Sequence, residues 1–408
     1  MKTLWYNHEH MSSQKVIIVG GGFGGIQTAL ELLKKAPKNL EIILISNRDH
    51  FEYYPGLHSY LSVHGPLPYL SVPLLDIFGK TRVQLVQGAV VSSDLTAKSV
   101  TLESGEVLTA DYLVFSVGAE STFFNIEGLE AMAFPFQTVD EAKRLRAHVE
   151  MMFEKHCVEK PNAECVVGLH FVIIGAGPNG VDLAGELATY TKYLCKKYNL
   201  AESLVTVDLI EGAPAVLSMM SKQVQEIATK RLRELDINVL CNRQLVKQGS
   251  WTVALADMTL GAKTLIWTAG TTGNELVTKI PNIVLQKKNR ITVNKNLEID
   301  QYPNCFVAGD IADTQFAGLA QTAIHDGSYI ARVITNKIKG ETTEDYKPKS
   351  VAYNIGVGHG WSITKVGNIV ISGRLSSILR KIIDLKYFLS ILPISKVWML
   401  NPFWKSKK

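Results

Sequence analysis

The chain has 408 residues, with 46% hydrophobic and 20% charged residues and 43 Lys and Arg against 38 Asp and Glu. This fits two or three globular domains with full cores and excludes a disordered or fibrous chain. Residues 374–408 carry eight basic residues and one acid, net +7, while the rest nets −2, which points to a local anionic partner and away from a generally basic, nucleic-acid-binding surface.

The first stretch, MKTLWYNHEHMSSQ, lacks the apolar region of a secretory leader. Five cysteines, at 157, 165, 195, 241 and 305, have no Cys-x-x-Cys or other metal-ligand spacing. No metal site is read, and a reducing, cytosolic setting is expected. No apolar run reaches the ~18–20 residues that span a bilayer.

Lys15 to Val19 (KVIIV) predicts a buried parallel strand. It runs into Gly20-Gly21-Gly22-Phe23-Gly24-Gly25, then a helix with Ile26, Ala29, Leu30 and Leu33 on one face. Strand, Gly-x-Gly-x-x-Gly and helix are the context that places a dinucleotide pyrophosphate at a helix N-terminus. Gly20 serves the tight turn, Gly22 the approach of backbone to phosphate, and Gly25 the packing of helix on strand. The second strand, Leu40 to Ile45, ends in Ser46-Asn47-Arg48 where a ribose-binding acid is expected. Ser46 or Asn47 can bond a ribose instead, and Arg48 can approach a phosphate.

The pattern repeats further on. Residues 170–174 (HFVII) lead into Gly175-Ala176-Gly177-Pro178-Asn179-Gly180 and a helix to about Lys197. The next strand, Thr206 to Ile210, ends in Glu211, the acid in its expected place. A carboxylate there accepts from a 2′-hydroxyl and repels a 2′-phosphate, which predicts NADH over NADPH. Two such fingerprints in one chain are a far stronger signal than one.

Leu113 to Gly118 and Leu265 to Gly270 are strands that close the two nucleotide units. Asn304 to Asp310 (NCFVAGD) ends in Gly309-Asp310, where an Asp can bond a ribityl hydroxyl of a flavin. A helix follows over Gly318 to Thr335, with Leu319, Ala323, Tyr329 and Ile330 as core positions. Its positive end would favour charge on a reduced flavin. Residues 374–392 predict an amphipathic helix with apolar residues at 375, 378, 379, 382, 383, 385, 388, 389 and 392, broken by Pro393. With interleaved basic residues, and Trp398 and Trp404 beyond, it reads as an interfacial membrane segment. The alternative is a stripe packed on the domain or on a second subunit, as in a homodimer.

The order of these motifs resembles the pyridine nucleotide–disulfide oxidoreductase superfamily, and within it the type II NADH:quinone oxidoreductases. The stretches that carry the resemblance include VIIVGGGFGG, ILISNRDHFEYYPGLH, FVIIGAGPNGVDLAGELA, LIWTAG, CFVAGDIAD and LAQTAIHDG, within residues 15 to about 340. The resemblance implies an α/β fold of two Rossmann-like domains. An FAD domain is expected at 12–165 and 281–345, an NADH domain inserted at 166–280, and a membrane-associating region at 346–408. It implies that Glu186 lies near the nicotinamide and quinone, with Asp182 on the same helix face. It places Ala320 and Gln321 beside flavin and quinone, and Val90 at the adenine end of FAD. It also implies His325 in a place usually held by Gln or Met. Arg380 is carried among the cofactor-binding residues. The implied activity is electron transfer from NADH through FAD to a membrane quinone, without proton pumping, on the cytoplasmic side of the membrane. The rival readings are a sulfide:quinone oxidoreductase, which needs cysteines flanking the flavin, and a flavin-bound interaction protein with little turnover. A disulfide reductase is disfavoured because no Cys-x4-Cys dithiol follows the first nucleotide unit.

Overall fold

A computed structural model of the chain describes residues 14–67, 69–157, 163–349 and 352–400, without the side chains of 157, 163 and 398–400. Residues 1–13, the side chain of Trp398, and Trp404, Lys405, Lys407 and Lys408 lie outside the described residues.

In chain order the main elements begin with β1 (Lys15–Val19), α1 (Phe23–Lys35), β2 (Glu41–Ser46), β3 (Val83–Gln87) and β4 (Tyr112–Phe115). Next come β5 (Phe134–Pro135), α2 (Val139–Cys157), β6 (His170–Ile174), α3 (Pro178–Tyr198), β7 (Thr206–Glu211), α4 (Lys222–Glu234), β8 (Asn238–Cys241) and β9 (Thr264–Trp267). The last are β10 (Cys305–Val307), α5 (Ala320–Lys339), β11 (Tyr353–Gly356), β12 (Ser362–Val366), β13 (Ile369–Gly373), α6 (Arg374–Ile391) and α7 (Ile394–Leu400).

These elements form two compact units. The first takes residues up to 50, 74–119 and 273–349. Its sheet has the order β10-β4-β1-β2-β3, parallel throughout. The order reverses at β1, the switch point where open α/β sheets bind ligands. The β-branched runs of β1 and β2 are buried on both faces, as a parallel sheet requires. On α1 the core residues are Ile26, Ala29 and Leu32, with Thr28 beside them; Leu30 and Leu33 are only half-buried. The expected stripe is thus turned by one position. The cause is the close packing of α5 on α1: a Cβ on Gly327 would fall 2.5 Å from the Gly24 carbonyl oxygen and 2.9 Å from Thr28 Oγ1.

The second unit takes residues 51–73, 120–272 and those from 350 onward. Its parallel sheet has the order β5-β9-β6-β7-β8. These packing units differ from the boundaries expected of the nucleotide domains. Residues 120–157 join the second unit because β5 pairs with β9, and because α2 buries Val139, Ala142, Leu145, Val149 and Phe153. That apolar spacing makes one helical face, and Phe153 stacks on Phe171 of β6 at 6.3 Å. Ile355, Val357 and Ile363, from the expected C-terminal region, belong to the same core as Phe171. Cys157 and Cys165 both lie in helices. The first ends α2 and the second is buried in a short helix, Ala163–Gly168.

Candidate functional site

In the first unit, β1 runs into the glycine turn at the N-terminus of α1. Gly20 has φ +114°, and a Cβ there would fall 2.2 Å from the Ser116 carbonyl oxygen. A Cβ on Gly25 would fall 1.9 Å from the Gly20 oxygen, so helix and turn are in backbone contact. Gly22 differs: nothing lies within 4 Å of its Cβ position, and its helix has no side-chain cap. Gly22 therefore faces open space beside uncapped N–H groups, which is the cradle an anion needs. Phe23 and Gly24 are buried behind it. Ser46, at the end of β2, is buried beside Gly21, whose Cβ would meet Ser46 Oγ at 2.8 Å. Ser46 Oγ accepts the Arg48 N–H at 3.2 Å, and Asn47 is exposed. Val90 is half-buried and starts an antiparallel strand, Val90–Asp94. Gly118 takes φ +73° with open space around it.

The second unit repeats the geometry. Gly175 has φ +103°, a Cβ on Gly180 would fall 1.8 Å from the Gly175 oxygen, and Gly177 faces open space. Glu211 ends β7 as expected. Its carboxylate accepts the Ala176 N–H at 2.7 Å and the Ala213 N–H at 2.9 Å. It thus holds the glycine turn as well as presenting charge there. Gly270, after β9, takes φ +78° against the Phe124 ring.

Further along the first unit, β10 leads to Gly309 and Asp310. Burial pushes the Asp310 carboxyl up, while Arg290 and the Gly318 N–H pull it down. Helix α5 begins at Ala320, two residues later than the expected start. It lacks a side-chain cap, and Gln321 is exposed in its first turn. Asp326 was not singled out in the sequence. It is wholly buried and accepts the Gly309 N–H at 2.9 Å. His325 turns outward, with Nε2 3.2 Å from the Lys347 carbonyl oxygen, and burial lowers its pKa.

In the second unit, α3 and α6 bring together a buried charged cluster. Arg380 forks onto Asp182 with two hydrogen bonds of 3.1 Å and donates to the Pro55 carbonyl oxygen at 2.6 Å. A Cβ on Gly356 would fall 2.4 Å from Asp182 Oδ1 and 2.7 Å from Arg380 Nη1, so the pair fits only against glycine. His58 Nδ1 lies 3.8 Å from Asp182, and burial and Arg380 lower its pKa to about 4, so the ring is neutral. One turn along α3, Glu186 is 8% exposed, and its Oε2 has no hydrogen-bond partner among the described residues. Burial, then Asp182, raise its pKa to about 7, against a smaller pull from Arg380. Tyr53 donates to Asp384 Oδ1 at 2.6 Å, and Tyr69 lies 3.5 Å from its other oxygen. Tyr53, Tyr69 and Asp384 carried no signal in the sequence, because their partners lie more than 300 residues away along the chain.

Among the described residues, no group of His, Cys, Asp and Glu could hold a metal ion. Cys165, Cys195 and Cys305 are buried, and burial pushes the Cys195 and Cys305 thiols up to about 11 and about 12.

Two glycine turns on two parallel sheets define a dinucleotide-binding oxidoreductase, and the chain matches the pyridine nucleotide-disulphide oxidoreductase model over residues 14–327. It belongs to that family. It is similar to the type II NADH:quinone oxidoreductase of Staphylococcus saprophyticus, with 28% identity over 387 residues, 91% of this chain and 94% of the relative. The enzyme of that name from Staphylococcus aureus is 29% identical over 388 residues, with the same coverage of 91% and 94%. Among solved structures, its fold is similar to NDH2 from Plasmodium falciparum in complex with NADH, with TM-score 0.82 and 20% identity over 96% of this chain and 100% of that one. It is also similar to the sulfide:quinone oxidoreductase of Aquifex aeolicus, with TM-score 0.78 and 21% identity over 97% and 96%.

Proposed function

We infer that this chain is a type II NADH:quinone oxidoreductase: a peripheral flavoprotein that passes electrons from NADH through FAD to a membrane quinone without pumping protons. The observation that carries this reading is the duplicated glycine turn. Gly22 and Gly177 both face open space, and only the second turn has an acid beside it. The first suits FAD and the second NADH. The curated relatives bear this name, and the similarity covers 91% of this chain.

FAD would be held by the turn Gly20–Gly25, Ser46 and Asn47, Val90, Gly118, Gly309 and Asp310, and the start of α5 at Ala320 and Gln321. NADH would be held by Gly175, Gly177, Gly180, Glu211 and Gly270. When bound, the flavin supplies the two-electron chemistry between NADH and quinone. The residues of this chain do the rest. Uncapped N–H groups of α1 and α3 bind pyrophosphate. Glu211 accepts from a ribose hydroxyl. Glu186, with a partner-free oxygen and a pKa near neutrality, can donate or accept a proton at Oε2. Arg380 forks onto Asp182 and offsets its charge beside Glu186.

Helix α6 supports a membrane role. At about 3.6 residues per turn, Ser376, Arg380, Asp384 and Phe388 share one side and Leu375, Ile378, Ile382 and Leu389 the other. The second set is the exposed one, at 74%, 51%, 52% and 47%, while Ser376, Arg380 and Asp384 are turned inward with Phe388. Exposed Arg374, Lys381 and Lys386 flank it. An inside-out helix of this kind suits the interface of an anionic membrane. No helix among the described residues is long and apolar enough to cross one.

The sulfide:quinone alternative needs reactive thiols beside the flavin, and the buried, high-pKa thiols described above argue against it. Anaerobic stopped-flow tests the reading. NADH should bleach the flavin and added quinone should restore its colour. Bleaching by sulfide and not by NADH would overturn it.

A further inference from the structure

Asp326 sits in α5 with no exposed surface, one residue before the glycine that lets α5 cross α1. A buried carboxyl there needs a reason. Its two oxygens have two donors. Oδ2 takes the Gly309 N–H at 2.9 Å, and Oδ1 takes the Tyr346 hydroxyl at 2.5 Å. Gly309 opens the turn that carries Asp310, and it stands at φ +78°, a conformation that glycine reaches without strain, so its place is fixed by the bonds it makes.

Tyr346 belongs to a segment without regular structure, residues 341–349. That segment is pinned by several further bonds, three of them at residues 344–346. The Tyr346 N–H donates to the Lys295 carbonyl oxygen at 2.7 Å, the Tyr329 hydroxyl to the Glu344 carbonyl oxygen at 2.9 Å, and Lys295 pairs with Asp345 at 3.1 Å. The rings of Tyr329 and His325 pack on Tyr346 at 5.1 and 5.3 Å. The segment therefore delivers one hydroxyl to one buried carboxyl, and that carboxyl holds one backbone N–H at the Gly309–Asp310 turn.

We propose that Asp326 is a positioning residue for FAD: it sets the Gly309–Asp310 turn against the flavin's ribityl chain, and Tyr346 holds Asp326 in place. This rests on the flavin reading above. With Asp326 removed, the Gly309 N–H is left buried without an acceptor and the turn is free to relax. Asparagine keeps the arrangement, since its amide oxygen accepts from Gly309 and its NH2 donates to the Tyr346 oxygen.

The test is FAD affinity, measured by adding FAD to flavin-stripped full-length protein, alongside thermal unfolding of each holoprotein. Asp326→Ala should weaken FAD binding about tenfold or more, the equivalent of one well-made buried hydrogen bond. Asp326→Asn should restore affinity to within a few-fold of wild type, and Tyr346→Phe should fall between. A folded Asp326→Ala with wild-type affinity overturns the proposal, and so does an Asp326→Asn as weak as the alanine. If Asp326→Ala does not fold, Tyr346→Phe decides, since unchanged affinity in that variant overturns it. A wild-type protein that takes up no FAD overturns the flavin reading itself, before any variant is compared.

Discussion

At pH 7 the Glu186 carboxyl is close to half-protonated, with its pKa raised from the usual 4.5 to about 7 by burial and Asp182. The folded protein keeps a proton there that the unfolded chain releases. Its contribution to stability is therefore least unfavourable below pH 4.5, worsens as pH rises towards 7, and is constant above. Glu186→Gln removes this dependence. The variant should gain stability relative to wild type across that window, by up to on the order of 3 kcal/mol, measurable by urea unfolding at several pH values. It should retain FAD, because Glu186 and the first glycine turn belong to different units. Its turnover should fall. Loss of flavin on purification would overturn the placing of α3 away from the FAD phosphates, and full quinone reductase activity would place the carboxyl outside the chemistry. Glu211 makes the second prediction at this scale. With the nucleotide bound as proposed, its charge would face a 2′-phosphate, and like charges about 4 Å apart in a partly screened site cost a few kcal/mol. NADH should exceed NADPH at least tenfold in kcat/KM, and equal values would contradict the placing of the ribose.

Helix α6 works through two faces, and the two can be separated. Ile378→Ser with Ile382→Ser changes only the exposed face, so sedimentation with anionic vesicles should drop while reduction by NADH in solution stays as it was. Arg380→Ala changes the buried face. It leaves Asp182 as an uncompensated buried charge, which costs about 3–5 kcal/mol. Vesicle binding should survive in that variant, while the melting temperature and NADH oxidation both fall. Truncation after Gly373 removes both faces at once. Read along the chain, the nucleotide units are complete before that point and such a cut looks harmless to folding. The structure alters that expectation, because the cut strips the acceptor from Tyr53, the guanidinium from Asp182, and Phe388 from its contact with Tyr69 at 4.8 Å. The truncated protein should be markedly less stable than the double serine variant.

For the whole molecule, quinone chemistry and quinone delivery are distinct demands. A long-chain quinone stays in the bilayer, while a short-chain analogue reaches the protein through water. Weakening the apolar face of α6 should therefore reduce activity with long-chain quinone in vesicles more than activity with the soluble analogue. Binding of the intact protein should weaken with salt, at about 1 kcal/mol for each basic residue near the surface. Equal losses with both quinones would remove α6 from delivery and favour a packing or subunit-contact role for its apolar side.

What the chain alone determined is local. KVIIV-GGGFGG and HFVII-GAGPNG state strand, turn and helix within about a dozen residues, because the glycine spacing and the β-branched runs act over that range. Glu211 was legible for the same reason, standing at the end of its own strand. Tertiary structure decided whatever depends on partners distant in sequence. The periodicity of residues 374–392 marked an amphipathic helix but could not say which face was buried, since apolar and polar stripes both recur every turn. The fork onto Asp182, 198 residues back, turned the polar stripe inward. The same holds for Asp326 and Asp384. A lone Asp in a helix reads as solvated until a buried N–H or hydroxyl from elsewhere in the fold is brought against it. Residues 120–157 likewise went to the second unit because a strand as short as β5 is visible only through the β9 edge it pairs with.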